Sequence, residues 1–124
     1  MAFAVLALTG CGRSGDRASV RTAAEGFYAA VGDHDGARAC GWLSAGARQA
    51  LEKDESAPCA RAVEHLQLSG RRARHVDVYS TEAAVALRGG DTVYLESTSH
   101  GWRISAVGCR APAYDKPADC ELQS

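Results

Sequence analysis

Ala83-Ala84-Val85-Ala86-Leu87-Arg88-Gly89-Gly90-Asp91-Thr92-Val93-Tyr94-Leu95 is the stretch that decides the fold. Successive strand residues point to opposite faces, so Ala83, Val85 and Leu87 share one face, and Val93 and Leu95 continue it on a second strand. Glycine accepts the positive φ of a tight hairpin, which predicts a two-residue turn at Gly89-Gly90. The alternation extends in both directions. Upstream, Val76 and Val78 alternate with Asp77 and Tyr79; downstream, a Ser99-His100-Gly101 turn leads to Trp102, Ile104 and Ala106 on one face. Four strands joined by short turns predict an antiparallel meander.

Before Gly70 the apolar period is helical. Val20, Ala23, Ala24, Phe27, Tyr28 and Val31 fall on one helical face, and Gly32 supplies a left-handed stop. Asp33 or Asp35 can cap a short helix through Cys40 to Leu43, and Ser44 can cap another over residues 45–52. Ser56-Ala57-Pro58 opens a further helix with Cys59, Ala62, Val63 and Leu66 on its apolar face. The sheet needs cover on its apolar side, and these helices supply it. The expectation is an α+β fold with Phe27, Val31, Leu66, Val85, Leu87, Leu95, Trp102 and Ile104 in one core.

The chain has 124 residues and a formal net charge of −1. That length suits one small domain, and a near-neutral balance gives no electrostatic case for nucleic acid as partner. Five cysteines are present: Cys11, Cys40, Cys59, Cys109 and Cys120. Leu8-Thr9-Gly10-Cys11 closes a short apolar run and precedes the polar Gly12-Arg13-Ser14-Gly15-Asp16, which resembles the lipobox of bacterial lipoproteins. The resemblance implies that residues 1–10 are a signal peptide. It further implies that Cys11 takes a diacylglyceryl group, that 11–17 are a flexible tether, and that the domain (18–124) stands on the extracytoplasmic face of a membrane. No Lys or Arg precedes Arg13, whereas such signals carry a basic start, so translation is expected to begin upstream of Met1. Removing Cys11 leaves four cysteines for two disulfides in an oxidising compartment. Of the three connectivities, Cys40–Cys59 and Cys109–Cys120 are expected. The first pair lies on short helical pieces separated by a reversal near Glu52 to Pro58. The second would tie a tail with Pro112 and Pro117 against the sheet.

Ala24-Glu25-Gly26-Phe27-Tyr28-Ala29-Ala30, the Asp35-Gly36-Ala37 turn and a last strand opening Gly101-Trp102-Arg103-Ile104 resemble the NTF2-like (SnoaL-like, cystatin-like cone) superfamily. More narrowly, these segments resemble small actinobacterial lipoproteins that carry this domain with two cysteine pairs. The resemblance implies a curved four-stranded antiparallel sheet wrapped around a helix, with Tyr28 and Trp102 lining the cone. Superfamily enzymes use a carboxylate base or an Asp–His pair inside the cone, and others are non-catalytic modules. Asp77 and Glu96 alternate with the apolar face of their strands and so face solvent; Asp33-His34-Asp35 reads as capping residues. Four scattered histidines, His34, His65, His75 and His100, offer no metal-ligand spacing. Arg71, Arg72 and Arg74 form the basic cluster, with Arg72 and Arg74 on the side of Val76 and Val78 by strict alternation. The expected function is a lipid-anchored, non-catalytic module without cofactor, binding a small ligand or an envelope protein. The runners-up are a cone-pocket isomerase or dehydratase and a structural subunit of an envelope assembly.

Two acyl chains anchor a protein stably, whereas one does so only marginally. Cys11→Ser in the full-length precursor is therefore expected to release the protein from the membrane fraction or leave it unprocessed. Unchanged detergent partitioning and unchanged electrophoretic mobility would sink the assignment of Cys11.

Overall fold

The computed structural model describes residues 13–110 and 119–124. The expected signal segment and the lipidation site Cys11 lie outside the described residues, as does 111–118 of the tail. Among the described residues the helices come first: α1 (Arg13–Gly32), α2 (Gly36–Trp42), α3 (Ala45–Glu55) and α4 (Cys59–Ala62), followed by a 3-10 turn, Val63–His65. The strands follow as β1 (Ala73–Tyr79), β2 (Glu82–Leu87), β3 (Thr92–Thr98), β4 (Gly101–Cys109) and β5 (Leu122–Gln123). They form one antiparallel sheet in the order β1-β2-β3-β4-β5. The protein is α+β, with a fifth strand beyond the four expected.

Helix α1 carries the core. Val20, Ala23, Ala24, Phe27 and Ala30 have no exposed surface, and they meet Val85, Val93, Leu95 and Ile104 from the sheet. Trp102 and Leu87 are also buried, while Val31 and Leu66 are only partly so. The helix begins at Arg13, so part of the stretch expected as a tether is helical. Asp16 lies in the first turn, where a carboxylate complements the helix dipole, and it accepts the Trp102 indole N–H at 3.4 Å. At its other end α1 runs through Gly32, and the left-handed residue is His34, φ 57°. The Asp35 N–H returns to the Ala30 carbonyl at 2.9 Å, which closes the helix end.

The short helices are fixed by caps and by sulfur. The Asp35 side chain accepts from the Arg38 N–H, and Ser44 Oγ accepts from the Ala47 N–H, each at 3.1 Å. Ser44 is buried, and its own N–H donates to the Ile104 carbonyl at 2.8 Å, which ties α3 to β4. Ser56 does not open a helix. It ends α3 in the left-handed region at φ 49°, and Pro58 occupies the N-cap of α4. The Cys40–Cys59 disulfide joins α2 to α4 with Cα atoms 6.1 Å apart, and Gly36 permits that approach: a Cβ there would fall 2.0 Å from the Ala60 carbonyl oxygen. Cys109–Cys120 joins β4 to the returning tail, whose Leu122 is buried beside Val107.

Three details of the sheet differ from simple alternation. The β3–β4 register shifts on either side of Tyr94, so Ala106 pairs with Tyr94 on the outer face and does not share the side of Trp102 and Ile104 as expected. A bulge at Arg74 separates the pairs Ala73↔Leu87 and His75↔Ala86. The extra residue turns Ala73 inward and leaves Arg72 and Arg74 exposed, so the two arginines do not share the side of Val76. The β2–β3 turn also holds three residues, not two, since the Leu87 N–H donates to the Asp91 carbonyl at 2.9 Å. Gly89 has the positive φ, 61°, whereas Gly90 is needed for contact: a Cβ there would lie 2.1 Å from the Ser69 carbonyl oxygen.

Phe27 is fully enclosed, and truncating such an aromatic costs about 3–5 kcal/mol. Phe27→Ala is expected to lower the denaturant midpoint by that stability difference divided by the unchanged slope of the transition. A midpoint equal to wild type would mean that α1 does not pack on the sheet.

Candidate functional site

Tyr28 lies on the buried side of α1, 4% exposed. Its hydroxyl donates to Asp91 Oδ2 at 3.1 Å and accepts from the Gly108 N–H at 3.3 Å. Asp91 Oδ2 also takes the Ser69 N–H at 2.7 Å, and the Asp91 N–H donates to the Ser69 carbonyl at 3.0 Å. Burial above all, then the neighbouring Asp91 charge, pushes the Tyr28 phenol well above its ordinary range, with the Gly108 N–H working in the opposite direction. The phenol therefore stays neutral, and both its donor and its acceptor roles are filled within the protein. It clasps α1, the β2–β3 turn, the segment before β1 and the end of β4. A side chain so engaged has no free donor for a developing oxyanion.

The aromatics expected to line one cavity are separated. Tyr28 borders a depression of about 280 Å³ with Leu68, Gly70 and Arg71. Trp102 borders another, of about 340 Å³, with Trp42 and Arg103. The Asp33-His34-Asp35 group is structural. Asp33 pairs with Arg38 at 3.1 Å and Arg71 at 3.9 Å, Asp35 caps α2, and His34 makes the turn, exposed. His65 meets Glu55 and His75 meets Asp77, at 2.8 and 2.9 Å, both on the surface. Among the described residues no three His, Cys, Asp or Glu side chains gather to hold a metal ion.

Further depressions lie beside Glu25, Ala29, Arg71 and Arg72, of about 430 Å³, and beside Ser44, Glu96, His100 and Arg103, of about 460 Å³. The outer face of the sheet has shape as well. Register places Asp77, Ala84, Tyr94, Ala106 and Gln123 in one cross-strand row, with His75, Ala86 and Thr92 in the next. Ala84 and Ala86 are half-buried and Ala106 is buried, so Tyr94 stands 37% exposed on a floor of methyl groups. A groove of about 280 Å³ runs beside it, bounded by Glu82, Ser105, Gln123, Ser124 and the Cys120 end of the disulfide. The sequence places Asp77 and Glu96 on this solvent-facing side but does not single out Tyr94. The usable signal was alanine at Ala84 and Ala86, positions where an outward-facing strand residue is ordinarily larger and polar. Comparison with protein-family models, with curated proteins and with solved structures finds no match to this chain.

Tyr28→Phe removes a donor to Asp91 and strands the buried Gly108 N–H, a loss of about 1–3 kcal/mol. The pH dependence has a definite sign. The folded phenol titrates above the unfolded value of 10.0, so its stabilising contribution is complete below that value and is lost as pH rises towards the folded pKa. Wild type is thus expected to lose more stability than Tyr28→Phe when both are taken above that unfolded value. Parallel stability curves for the two proteins across that range would contradict the clasp.

Proposed function

We propose that this chain is a non-catalytic binding module of NTF2-like fold, held by a lipid on Cys11 at the extracytoplasmic face of a membrane. Its outer sheet face docks an envelope protein. Helices followed by an antiparallel meander support the NTF2-like reading. The lipobox-like Leu8-Thr9-Gly10-Cys11 and the even set of four paired cysteines support the address. The observation that carries the binding reading is the contrast between the two sides of the sheet. The inner side is filled by Phe27, Leu95 and Ile104, with the Tyr28 hydroxyl committed to internal partners. The outer side offers Tyr94 above Ala84 and Ala106, with Glu82, Ser105 and Gln123 as polar neighbours.

A protein fits this face better than a small molecule. Small-ligand sites enclose most of their ligand, whereas this groove lies along an open sheet surface. An exposed tyrosine matches the make-up of protein interfaces, where Tyr is enriched and supplies area at little entropic cost, and the small alanines around it leave its ring accessible. The isomerase or dehydratase alternative would rest on the Tyr28–Asp91 pair. Asp91 is occupied by the Ser69 N–H as well as by Tyr28, so that pair reads as a fastening.

The test is site-specific photocrosslinking in intact cells that make the full chain. A photoreactive phenylalanine analogue at Tyr94 is expected to give an adduct of one defined mass. The same probe at Glu64, exposed in the helical layer, is expected to give none. Equal adducts from both positions, or none from either, would overturn the docking face.

A further inference from the structure

The free edge of the sheet has a self-complementary pattern. β1 is the terminal strand of the sheet, and among the described residues no strand pairs on its outer side. Which backbone groups point outward follows from the β2–β3 ladder. The Leu87 N–H bonds to Asp91 and the Thr81 carbonyl accepts the Ser97 N–H, so the odd-numbered residues of β2 face β3. Glu82, Ala84 and Ala86 then bond to their β1 partners Tyr79, Asp77 and His75. Val76 and Val78 are left with N–H and C=O groups directed away from the sheet.

Val76 is the midpoint of the seven-residue strand Ala73–Tyr79. Two copies of β1 running antiparallel about a two-fold axis at Val76 pair Val76 with Val76, His75 with Asp77 and Asp77 with His75. In this register the outward-pointing groups of Val76 meet as a hydrogen-bonded pair. His75 and Asp77 then fall at the non-hydrogen-bonded positions, where side chains lie closest. Both side chains lie on the outer face, 64% and 42% exposed, and they already meet within one chain at 2.9 Å. The single N–H of a neutral imidazole can pass from its own chain's Asp77 to the Asp77 of the second copy, so each carboxylate keeps a donor when the exchange is reciprocal. Two other registers are open to the outward-pointing groups: one centred on Asp77 pairs Val76 with Val78 but sets the two Asp77 carboxylates directly opposite each other, and one centred on Val78 sets Asp77 against Tyr79 and pairs far less of the strand. The bulge at Arg74 sits at the start of β1 and leaves His75 to Tyr79 regular.

We propose that β1 is a homodimerisation edge: two copies of this chain join their sheets through antiparallel β1–β1 pairing centred on Val76, with reciprocal His75–Asp77 contacts. The inference goes beyond the docking reading and does not depend on it. A two-fold interface is self-complementary by necessity, and the His-Val-Asp triplet satisfies that requirement without help from any other element. The joined sheet carries both outer faces on one continuous surface.

Sedimentation velocity on the full chain carrying Cys11→Ser, which removes lipid as a second cause of association, reads the oligomeric state. A concentration-dependent dimer is expected. His75→Asp sets two carboxylates against each other twice and is expected to weaken the dimer about tenfold. His75→Asp with Asp77→His restores the pairing with the partners exchanged, and the affinity returns to near wild type. Hydrogen exchange fixes the location, since the Val76 and Val78 amides become protected as dimer forms. A monomer at millimolar concentration overturns the proposal. So does a dimer indifferent to His75→Asp, a double substitution that fails to rescue, or a dimer in which Val76 and Val78 exchange freely.

Discussion

Everything else in this domain is arranged around the burial of one helix face on one side of one sheet. Val20, Ala23, Ala24, Phe27 and Ala30 are closed off completely, and α1 packs against α2 on one side and strands β1 to β4 on the other. Three of those five helix residues are alanines, so the helix sits low on the sheet but contributes little apolar area of its own. Phe27 supplies much of what there is, with a side chain whose burial is worth roughly 1.5–3 kcal/mol. A thin core of this kind leaves the flanking elements weakly held. α4 has four residues and β5 two, too short to stay in place through their own packing.

The disulfides act where that packing runs out. Cys40–Cys59 fixes α4 to α2, and Cys109–Cys120 brings back the tail that bears Leu122. Each closes a short loop, and loops of this size are worth about 3 kcal/mol through restriction of the unfolded chain. Polar groups complete the fastening. Ser44 both caps α3 and bonds to β4, and Tyr28 reaches from α1 to Asp91 and Gly108. Among the described residues, the polar groups of the interior are thus spent on joining layers.

The fold was readable wherever a residue's role depends on its own neighbours in the chain. Val85 and Leu87 share a face because strands alternate, Ser44 caps because a helix follows it, and Cys40 and Cys59 lie on elements that a reversal brings together. Roles set by distant backbone were not readable. Gly90 looks like half of a turn, yet it is glycine because the Ser69 carbonyl passes over it. Ser56 looks like a helix opener, but α3 continues to Glu55 and uses Ser56 as its left-handed end. Arg74 defeats the parity rule by being the bulged residue, and β5 carries too few residues to show any period. Tyr94 escaped for a related reason, since Ala84 and Ala106 become a floor only when the register places Tyr94 between them.

Two tyrosines show how position alone divides the same side chain into scaffold and surface. Tyr28 comes from a helix face and reaches the interior, where desolvation keeps it neutral and its hydroxyl is held by both a carboxylate and an amide. Tyr94 comes from the outward parity of β3, with alanine beneath it and a groove beside it. The first must be rigid for the layers to stay together, and that rigidity is what holds the second in place. Because the β2–β3 turn is pinned at Asp91 by Tyr28 and Ser69, strand β3 meets β2 in a regular register. Tyr94 follows three residues later on the outer face, where the β4 ladder shifts to bring Ala106 beside it. A surface of this kind is preorganised by the core beneath it, and preorganisation lowers the entropic cost of binding.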